Sequence, residues 1–272
     1  LVTGGAKDTP MLLWSQDAHD ATLLGRHDSY AYGVAWSPDG RSLASFPFAG
    51  RDVHVRVWDT RTRREVARIP TRGGVPRCLA YSADGATLFV GAGLSQPSPI
   101  EAWTTDGWRR VADDVAETQV IAECGAAGLR LNRGDCFSPD GTTRVRIESI
   151  DGRERVVVLR EGRRIITDWD RTSSFAFSPD GATLAITGDS QTDVSLLAAR
   201  TLAPLRTVPV GMRPRALDFS PDGTRLAVVG FANVVRLFDT RTWEAIADLH
   251  GHTATIHDVQ FSPDGHSLAT AS

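Results

Sequence analysis

An all-β fold, a β-propeller of four-stranded blades, is predicted by three features of the sequence. A five-residue turn phrase recurs six times: Trp36-Ser37-Pro38-Asp39-Gly40, Tyr81-Ser82-Ala83-Asp84-Gly85, Phe137 to Gly141, Phe177 to Gly181, Phe219 to Gly223 and Phe261 to Gly265. Three residues beyond the glycine stands a leucine in five copies (Leu43, Leu88, Leu184, Leu226, Leu268), with Arg144 breaking the pattern in the third. The turn aspartates lie 45, 56, 40, 42 and 42 residues apart. Proline pre-sets φ for a type I turn, and glycine takes the left-handed conformation that sends the chain back as a hairpin. One such hairpin per repeat, at a period near 40 residues, is the signature of stacked four-stranded blades.

Each repeat reads as inner strand, turn, second strand, third strand and outer strand. Met11 to Trp14 is a third strand and Ala21 to Leu24 an outer one; the first complete blade follows with Tyr32 to Trp36, Ser42 to Phe46, Val53 to Trp58 and Glu65 to Ile69. The second repeat has Ala86 to Val90, a Gly/Pro/Ser loop at Gly91 to Pro99, Ile100 to Trp103, and an insertion over Val111 to Asp135. The third has Val145 to Ile150, Val156 to Leu159 and Ile165 to Thr167. The fourth and fifth are regular: Thr183 to Thr187, Val194 to Leu197 and Leu205 to Val208, then Arg225 to Val229, Val234 to Phe238 and Ala245 to Leu249.

The 272 residues, all repeat, read as one propeller domain over 1–272. Leu1-Val2-Thr3-Gly4-Gly5 matches Leu268-Ala269-Thr270-Ala271-Ser272 in pattern. One blade has room for a single second strand, so the duplication favours a truncated seven-bladed array, cut from a longer chain, over a six-bladed ring closed by its two ends. A net charge of −3 and the lack of aromatic residues interleaved with basic ones argue against nucleic acid. No apolar run reaches the ~20 residues of a membrane span. Three cysteines without metal or redox spacing fit a reducing, cytoplasmic setting and no cofactor. Basic charge is carried by 29 arginines and one lysine, a bias that points to the composition of the source genome.

Trp58-Asp59, Phe238-Asp239, Gly251-His252 before an inner strand, and the repeated Phe-Ser-Pro-Asp-Gly phrase resemble the WD-repeat (WD40) propellers over the whole chain. The resemblance implies a hydrogen-bonded structural set in each well-kept repeat, matched by His27, Ser45, Asp52 and Trp58. A second set would draw His252 and Thr270 from the last repeat and Asp8 and Trp14 from the first residues. Other repeats carry Arg72, Gly128, Asp168 and Val210 at the histidine's place, so apolar packing is expected to hold those blades. The resemblance further implies a non-catalytic protein-interaction scaffold, a module tethered within a larger bacterial regulatory protein. The alternative is a propeller enzyme of the hydrolase or lactonase kind, its channel site drawn from His27, His252 and His257. That reading is weaker because two of these histidines already have structural places.

Candidate binding residues come from the inner-strand column that, in the propellers this chain resembles, turns its side chains toward the channel mouth. It reads Tyr32, Arg77, Arg133, Ser173, Arg215 and His257, with Tyr30 and Arg213 two positions before. Converging there, Tyr30, Tyr32, Arg77, Arg133, Arg213, Arg215 and His257 would form a cationic, aromatic-edged cup for an acidic or phosphorylated segment of a protein partner, with His257 adding charge as it protonates. A second basic stretch, Arg61, Arg63 and Arg64, sits on the opposite face. Its Thr60-Arg61-Thr62 recurs as Thr240-Arg241-Thr242, which points to turn chemistry.

Overall fold

The computed structural model describes residues 9–15, 21–48, 53–72, 74, 76–92, 100–113, 115–116, 119–120, 130–132, 135–167, 172–188 and 192–272. Six antiparallel sheets follow one another around a channel. Blade 1 is β3 (Ala31–Trp36), β4 (Ser42–Pro47), β5 (Val55–Asp59) and β6 (Arg64–Ile69); blade 2 is β7 (Pro76–Tyr81), β8 (Thr87–Ala92), β9 (Ile100–Thr104) and β10 (Arg110–Ala112). Blade 3 has five strands, β11 (Arg130–Asn132), β12 (Asp135–Phe137), β13 (Thr143–Ile150), β14 (Arg153–Arg160) and β15 (Arg163–Ile166). Blade 4 is β16 (Thr172–Phe177), β17 (Thr183–Gly188), β18 (Asp193–Ala198) and β19 (Pro204–Pro209); blade 5 is β20 (Pro214–Phe219), β21 (Arg225–Gly230), β22 (Val234–Asp239) and β23 (Ala245–His250). Blade 6 joins β24 (Asp258–Phe261) and β25 (Ser267–Ala271) to β1 (Thr9–Ser15) and β2 (Ala21–His27).

Blade 6 corrects one expectation. The edge of β25, expected to stand unpaired in a truncated array, is covered by β1 from Met11↔Ala271 to Ser15↔Ser267. The described residues therefore close a six-bladed ring, and the duplicated pattern at Leu1 to Gly5 lies outside them.

The six turns share one hydrogen-bond scheme. In the first, the Ser37 hydroxyl donates to Asp39 Oδ1 at 2.7 Å and Ser42 N donates back to Ser37 Oγ at 2.9 Å. Arg41 N reaches Asp39 Oδ1 at 3.0 Å, and Gly40 adopts φ of 70°. The same serine-to-aspartate bond is made by Ser82, Ser138, Ser178, Ser220 and Ser262. This fixes the register across the blade. Leu43 pairs with Trp36 on one side and Trp58 on the other, and Leu226 likewise with Phe219 and Phe238. Arg144, at the same place in blade 3, keeps the aromatic contact by laying its guanidinium 5.1 Å over the Phe137 ring. The turns also touch in sequence around the ring: Pro38 lies beside Gly85, Pro139 beside Gly181, Pro179 beside Gly223, and Pro263 closes on Gly40.

Six apolar clusters hold the blades together, each drawn from two successive blades. The insertion of the second repeat takes part, because Val115 and Val120 are buried with Phe89, Ile100 and Phe137 between blades 2 and 3. Polar ties are added at the third strands. His27 Nε2 lies 2.9 Å from Ser45 Oγ, which accepts the Trp58 indole N–H at 2.9 Å; the fourth expected member, Asp52, falls outside the described residues. In blade 6, Trp14 Nε1 donates to Thr270 Oγ1 at 3.1 Å, and His252 Nε2 lies 2.7 Å from the same hydroxyl. Burial pushes His252 down to about 4, so the ring is neutral at physiological pH. Asp8 lies outside the described residues.

The expectation that apolar packing alone holds the other blades is overturned in blade 2. There Glu101, 4% exposed, accepts the Trp103 indole N–H at 3.1 Å and the backbone N–H of Arg72 at 3.0 Å, replacing the hydroxyl with a carboxylate. Arg56 and Arg236 occupy the same column, two residues before the third-strand aromatic. Each reaches the preceding blade, Arg56 to the Arg26 carbonyl at 2.8 Å and Arg236 to that of Val210 at 2.6 Å. Glu101→Leu is expected to lower stability by ~1–3 kcal/mol, since it strands the buried Trp103 N–H and removes the partner of the part-buried Arg72 N–H, and a denaturant melt would show this as a lower midpoint.

The turn aspartates supply a second test. The carboxyls of Asp39, Asp84, Asp140, Asp180, Asp222 and Asp264 are held below the ordinary carboxylate range, first by the serine hydroxyl and then by a backbone N–H. A depressed folded pKa stabilises above the unfolded value of ~3.9 and that stabilisation is lost as pH falls through the folded one. The melting temperature should therefore drop between about pH 5 and pH 3. Ser220→Ala should raise the Asp222 titration seen by NMR; an unmoved Asp222 would show that the hydroxyl is not what holds it.

Candidate functional site

At the end of the ring away from the turns, second strands hand over to third strands and outer strands to the next blade's inner strand. Two of these crossings are built alike. Phe48 N donates to the Tyr30 carbonyl at 2.8 Å in blade 1, and Phe231 N to the Arg213 carbonyl at 3.2 Å in blade 5. Both phenylalanines stand eight residues past a turn glycine and both are exposed. Gly230 makes the second approach possible, because a Cβ there would stand 2.0 Å from the Arg213 carbonyl oxygen.

Between these two crossings, blade 6 contributes Ala254, Thr255 and His257, and the three blades enclose a cavity of about 510 Å³. Its wall on blade 1 is aromatic. The Tyr32 ring lies 4.8 Å from Phe48 and 5.4 Å from His257, and Tyr30 meets His257 edge-on at 5.7 Å. The wall on blade 5 is cationic, with the guanidiniums of Arg213 and Arg215 set 4.8 and 5.6 Å over the Phe231 ring. His257 joins the walls: Arg215 Nε donates to its Nδ1 at 3.2 Å. In this arrangement the imidazole Nδ1 accepts from Arg215, so the two side chains are held together.

Of the seven binding residues expected from the sequence, Tyr30, Tyr32, Arg213, Arg215 and His257 are brought to one place, within or beside the cavity. Arg77 lies on β7 in blade 2, its side chain outside the description, and Arg133 falls outside the described residues. What converges is an arc of three blades. Phe48 and Phe231 were missed because only the inner-strand column was read; their shared place eight residues past Gly40 and Gly223 is the signal that would have found them. Asp258 on the neighbouring strand is occupied by backbone, its Oδ2 accepting Val34 N at 3.0 Å and its Oδ1 Val259 N at 2.9 Å.

The basic hairpin is at the other end. Thr60 Oγ1 donates to the Gly40 carbonyl at 2.8 Å and Thr240 Oγ1 to that of Gly223 at 2.6 Å, so these threonines lock third-to-outer hairpins onto the turn ring. Arg61, Arg63 and Arg64 point to solvent there. Arg56, on the strand before that hairpin, is instead buried among Asp28, Glu65 and the Arg26 carbonyl. Among the described residues no three His, Cys, Asp or Glu side chains converge as a metal-binding group.

These features define a closed β-propeller of six antiparallel sheets. The family profile for the WD domain, G-beta repeat, matches residues 20–59 and 243–272, the two stretches that keep the histidine and hydroxyl of the polar set. Over 67 residues the chain is 37% identical to a U3 snoRNP-associated protein-like EMB2271 of Arabidopsis thaliana, covering 25% of this chain and 13% of the relative. Over 82 residues it is 29% identical to the meiotic recombination protein rec14 of Schizosaccharomyces pombe, covering 29% and 26%. Both alignments span well under half of either relative. A chain from a crystal structure of the Mitotic Checkpoint Complex superposes with a TM-score of 0.52 at 16% identity, covering 97% of this chain and 81% of that one, a likeness of fold.

Gly230→Ala tests how the cup is built. The added methyl must push Phe231 off the Arg213 carbonyl, so a lowered melting temperature is expected, together with a change in the ring environment of Phe231 by NMR. An unchanged Phe231 would mean that the crossing does not depend on this close approach.

Proposed function

We propose that this chain is a non-catalytic interaction platform that docks a protein partner on the end of the propeller carrying the cup, through an acidic or phosphorylated segment. The observation that carries the reading is the arc of Tyr30, Tyr32, Phe48, His257, Arg215 and Phe231, where exposed aromatic rings and guanidinium groups stand together on a rigid ring. Aromatic and arginine side chains gathered in one recess are the residue types that dominate protein recognition. The described histidines of the channel region already have partners, His27 and His252 on hydroxyls and His257 on Arg215, which favours binding over acid–base chemistry. The names of one relative, associated with a snoRNP, and of the checkpoint assembly that holds the structural neighbour are in keeping with a scaffold.

The same reading makes the chain a module tethered within a larger cytoplasmic regulatory protein, a setting in keeping with the thiols Cys78 and Cys136. A bacterial source rests on the arginine bias alone, since the relatives named above are a plant and a yeast protein.

The test is a capture experiment from the source organism with three baits: the unaltered chain, Arg213→Ala/Arg215→Ala, and Arg61→Ala/Arg63→Ala/Arg64→Ala. A partner held by the cup is lost with the first variant, kept with the second, and weakened as salt rises from ~50 to ~300 mM. Loss only in the hairpin variant would move the docking site to the turn end, and loss in neither would remove the arginines from it.

A further inference from the structure

We infer that the cup receives the carboxyl end of a partner chain whose last residue is aromatic, with the ring against blade 1 and the terminal carboxylate on Arg215. The inference rests on the docking reading above and narrows its anion to one carboxylate. The cavity lining carries a single guanidinium, that of Arg215, because Arg213 stands outside it. One fixed charge calls for one counter-charge. Arg215 uses its Nε on His257 and lies 5.6 Å over the Phe231 ring, and its side chain makes no further hydrogen bond among the described residues. Its terminal nitrogens are left as a planar fork, the arrangement that takes a carboxylate through paired bonds. The carboxylates nearest along the chain are committed elsewhere: Asp258 accepts the backbone N–H groups of Val34 and Val259, and Asp28 lies 3.7 Å from Arg56.

The adjoining wall is aromatic. Ring to ring, Tyr32 lies 4.8 Å from Phe48 and 5.4 Å from His257, and a flat side chain entering there gains apolar and edge-to-face contact. His257 belongs to both halves, since its Nδ1 is 3.2 Å from Arg215 Nε, so the ring slot and the fork are a side chain's breadth apart. That short gap selects among acidic segments. In a chain-terminal aromatic residue only the α- and β-carbons separate the ring from the carboxylate. Inside an extended chain an acid next to an aromatic residue points to the opposite side, and one two residues away stands roughly 7 Å off. A chain end therefore brings both groups into one recess, and the cavity, at about 510 Å³, is of the size that encloses such a ligand. The other polar groups of the lining suit the backbone of that end. The Asn233 amide and the Thr255 hydroxyl make no hydrogen bond among the described residues and face the same cavity, where the last peptide unit would meet them. A phosphate would bring a second negative charge that this lining does not match.

The experiment is a titration of this chain with N-acetylated, Gly/Ser-rich peptides: one ending in Phe as the free acid, the same peptide as its amide, a free acid ending in Gly, and an amidated peptide with Phe and Asp two residues apart inside it. N-Acetylphenylalanine serves as the minimal probe. The free acid ending in Phe is expected to bind at least about tenfold more tightly than each of the others, and N-acetylphenylalanine to compete with it. Arg215→Gln should bring that acid down to the affinity of its amide, and Phe48→Ala should weaken it while leaving the acid ending in Gly unaffected; unchanged melting temperatures would show that both variants fold. The peptide comparison on the unaltered chain decides the matter without them. An amide that binds as well as the acid, an internal Phe and Asp that bind as well as the chain end, a Gly end that binds as well as a Phe end, or no binding of the Phe acid at millimolar peptide would each overturn the inference. Carboxypeptidase treatment of the extract in the capture experiment separates it from the broader reading. A partner still lost with Arg213→Ala/Arg215→Ala but indifferent to trimming of its carboxyl end would keep the docking face and overturn this ligand.

Discussion

No blade of this chain can bury both of its faces by itself, and closure of the ring is the constraint on which everything else depends. Each apolar cluster takes one wall from one blade and the other wall from the next, so the array has the nearest-neighbour energetics of a repeat protein until its last blade meets its first. Pairing of β1 with β25 makes that meeting. It completes the cluster of Leu12, Trp14, Val259 and Phe261 against blade 5, and that of Met11, Leu24, Ala269 and Ala271 against blade 1. The Thr270 hydroxyl, taking the Trp14 indole N–H beside a neutral His252, fixes the two segments side by side.

The two ends of the ring divide the work. At the turn end the same chemistry appears six times, serine to aspartate with a left-handed glycine, and successive turns pack proline against glycine. At the other end equivalent positions carry unlike residues: Tyr30 and Arg213, or Tyr32, Arg215 and His257. What repeats holds the backbone in place, and what varies is displayed on it. A recess assembled from three blades needs that rigidity, because its walls are set by the angle between neighbours and not by any one loop.

Much of this was legible in the residues. Phe219 to Gly223 with Leu226 specifies a turn, two strands and their register, because a hairpin's pairing follows from its turn chemistry and a period of two. The column Tyr32, Arg215 and His257 was legible for the same reason, since position along an inner strand sets which side chains face the channel mouth. Three things were not. Glu101 replaces a hydroxyl two residues before Trp103 on a different strand, so a search for the histidine's column passes over it. The crossing residues Phe48 and Phe231 join the cup through backbone bonds to Tyr30 and Arg213, which strand periodicity does not report. Closure was misjudged because a repeated pattern at Leu1 and Leu268 says that two segments are alike, whereas β-pairing depends on which edges are near.

The direction of the closing pair has a mechanical consequence. Met11 lies opposite Ala271 and Ser15 opposite Ser267, so the leading end of β1 and the trailing end of β25 are at the same corner of blade 6. Tension applied to the chain on the two sides of this pair pulls at that corner. It loads the ladder bonds one at a time, as a zip opens, in contrast to the parallel loading of strands sheared along their length. Under such a load the ring would part at blade 6 first, and with it the apolar walls shared with blades 5 and 1. A ring whose blades each lean on two neighbours is thus open to force at a single seam.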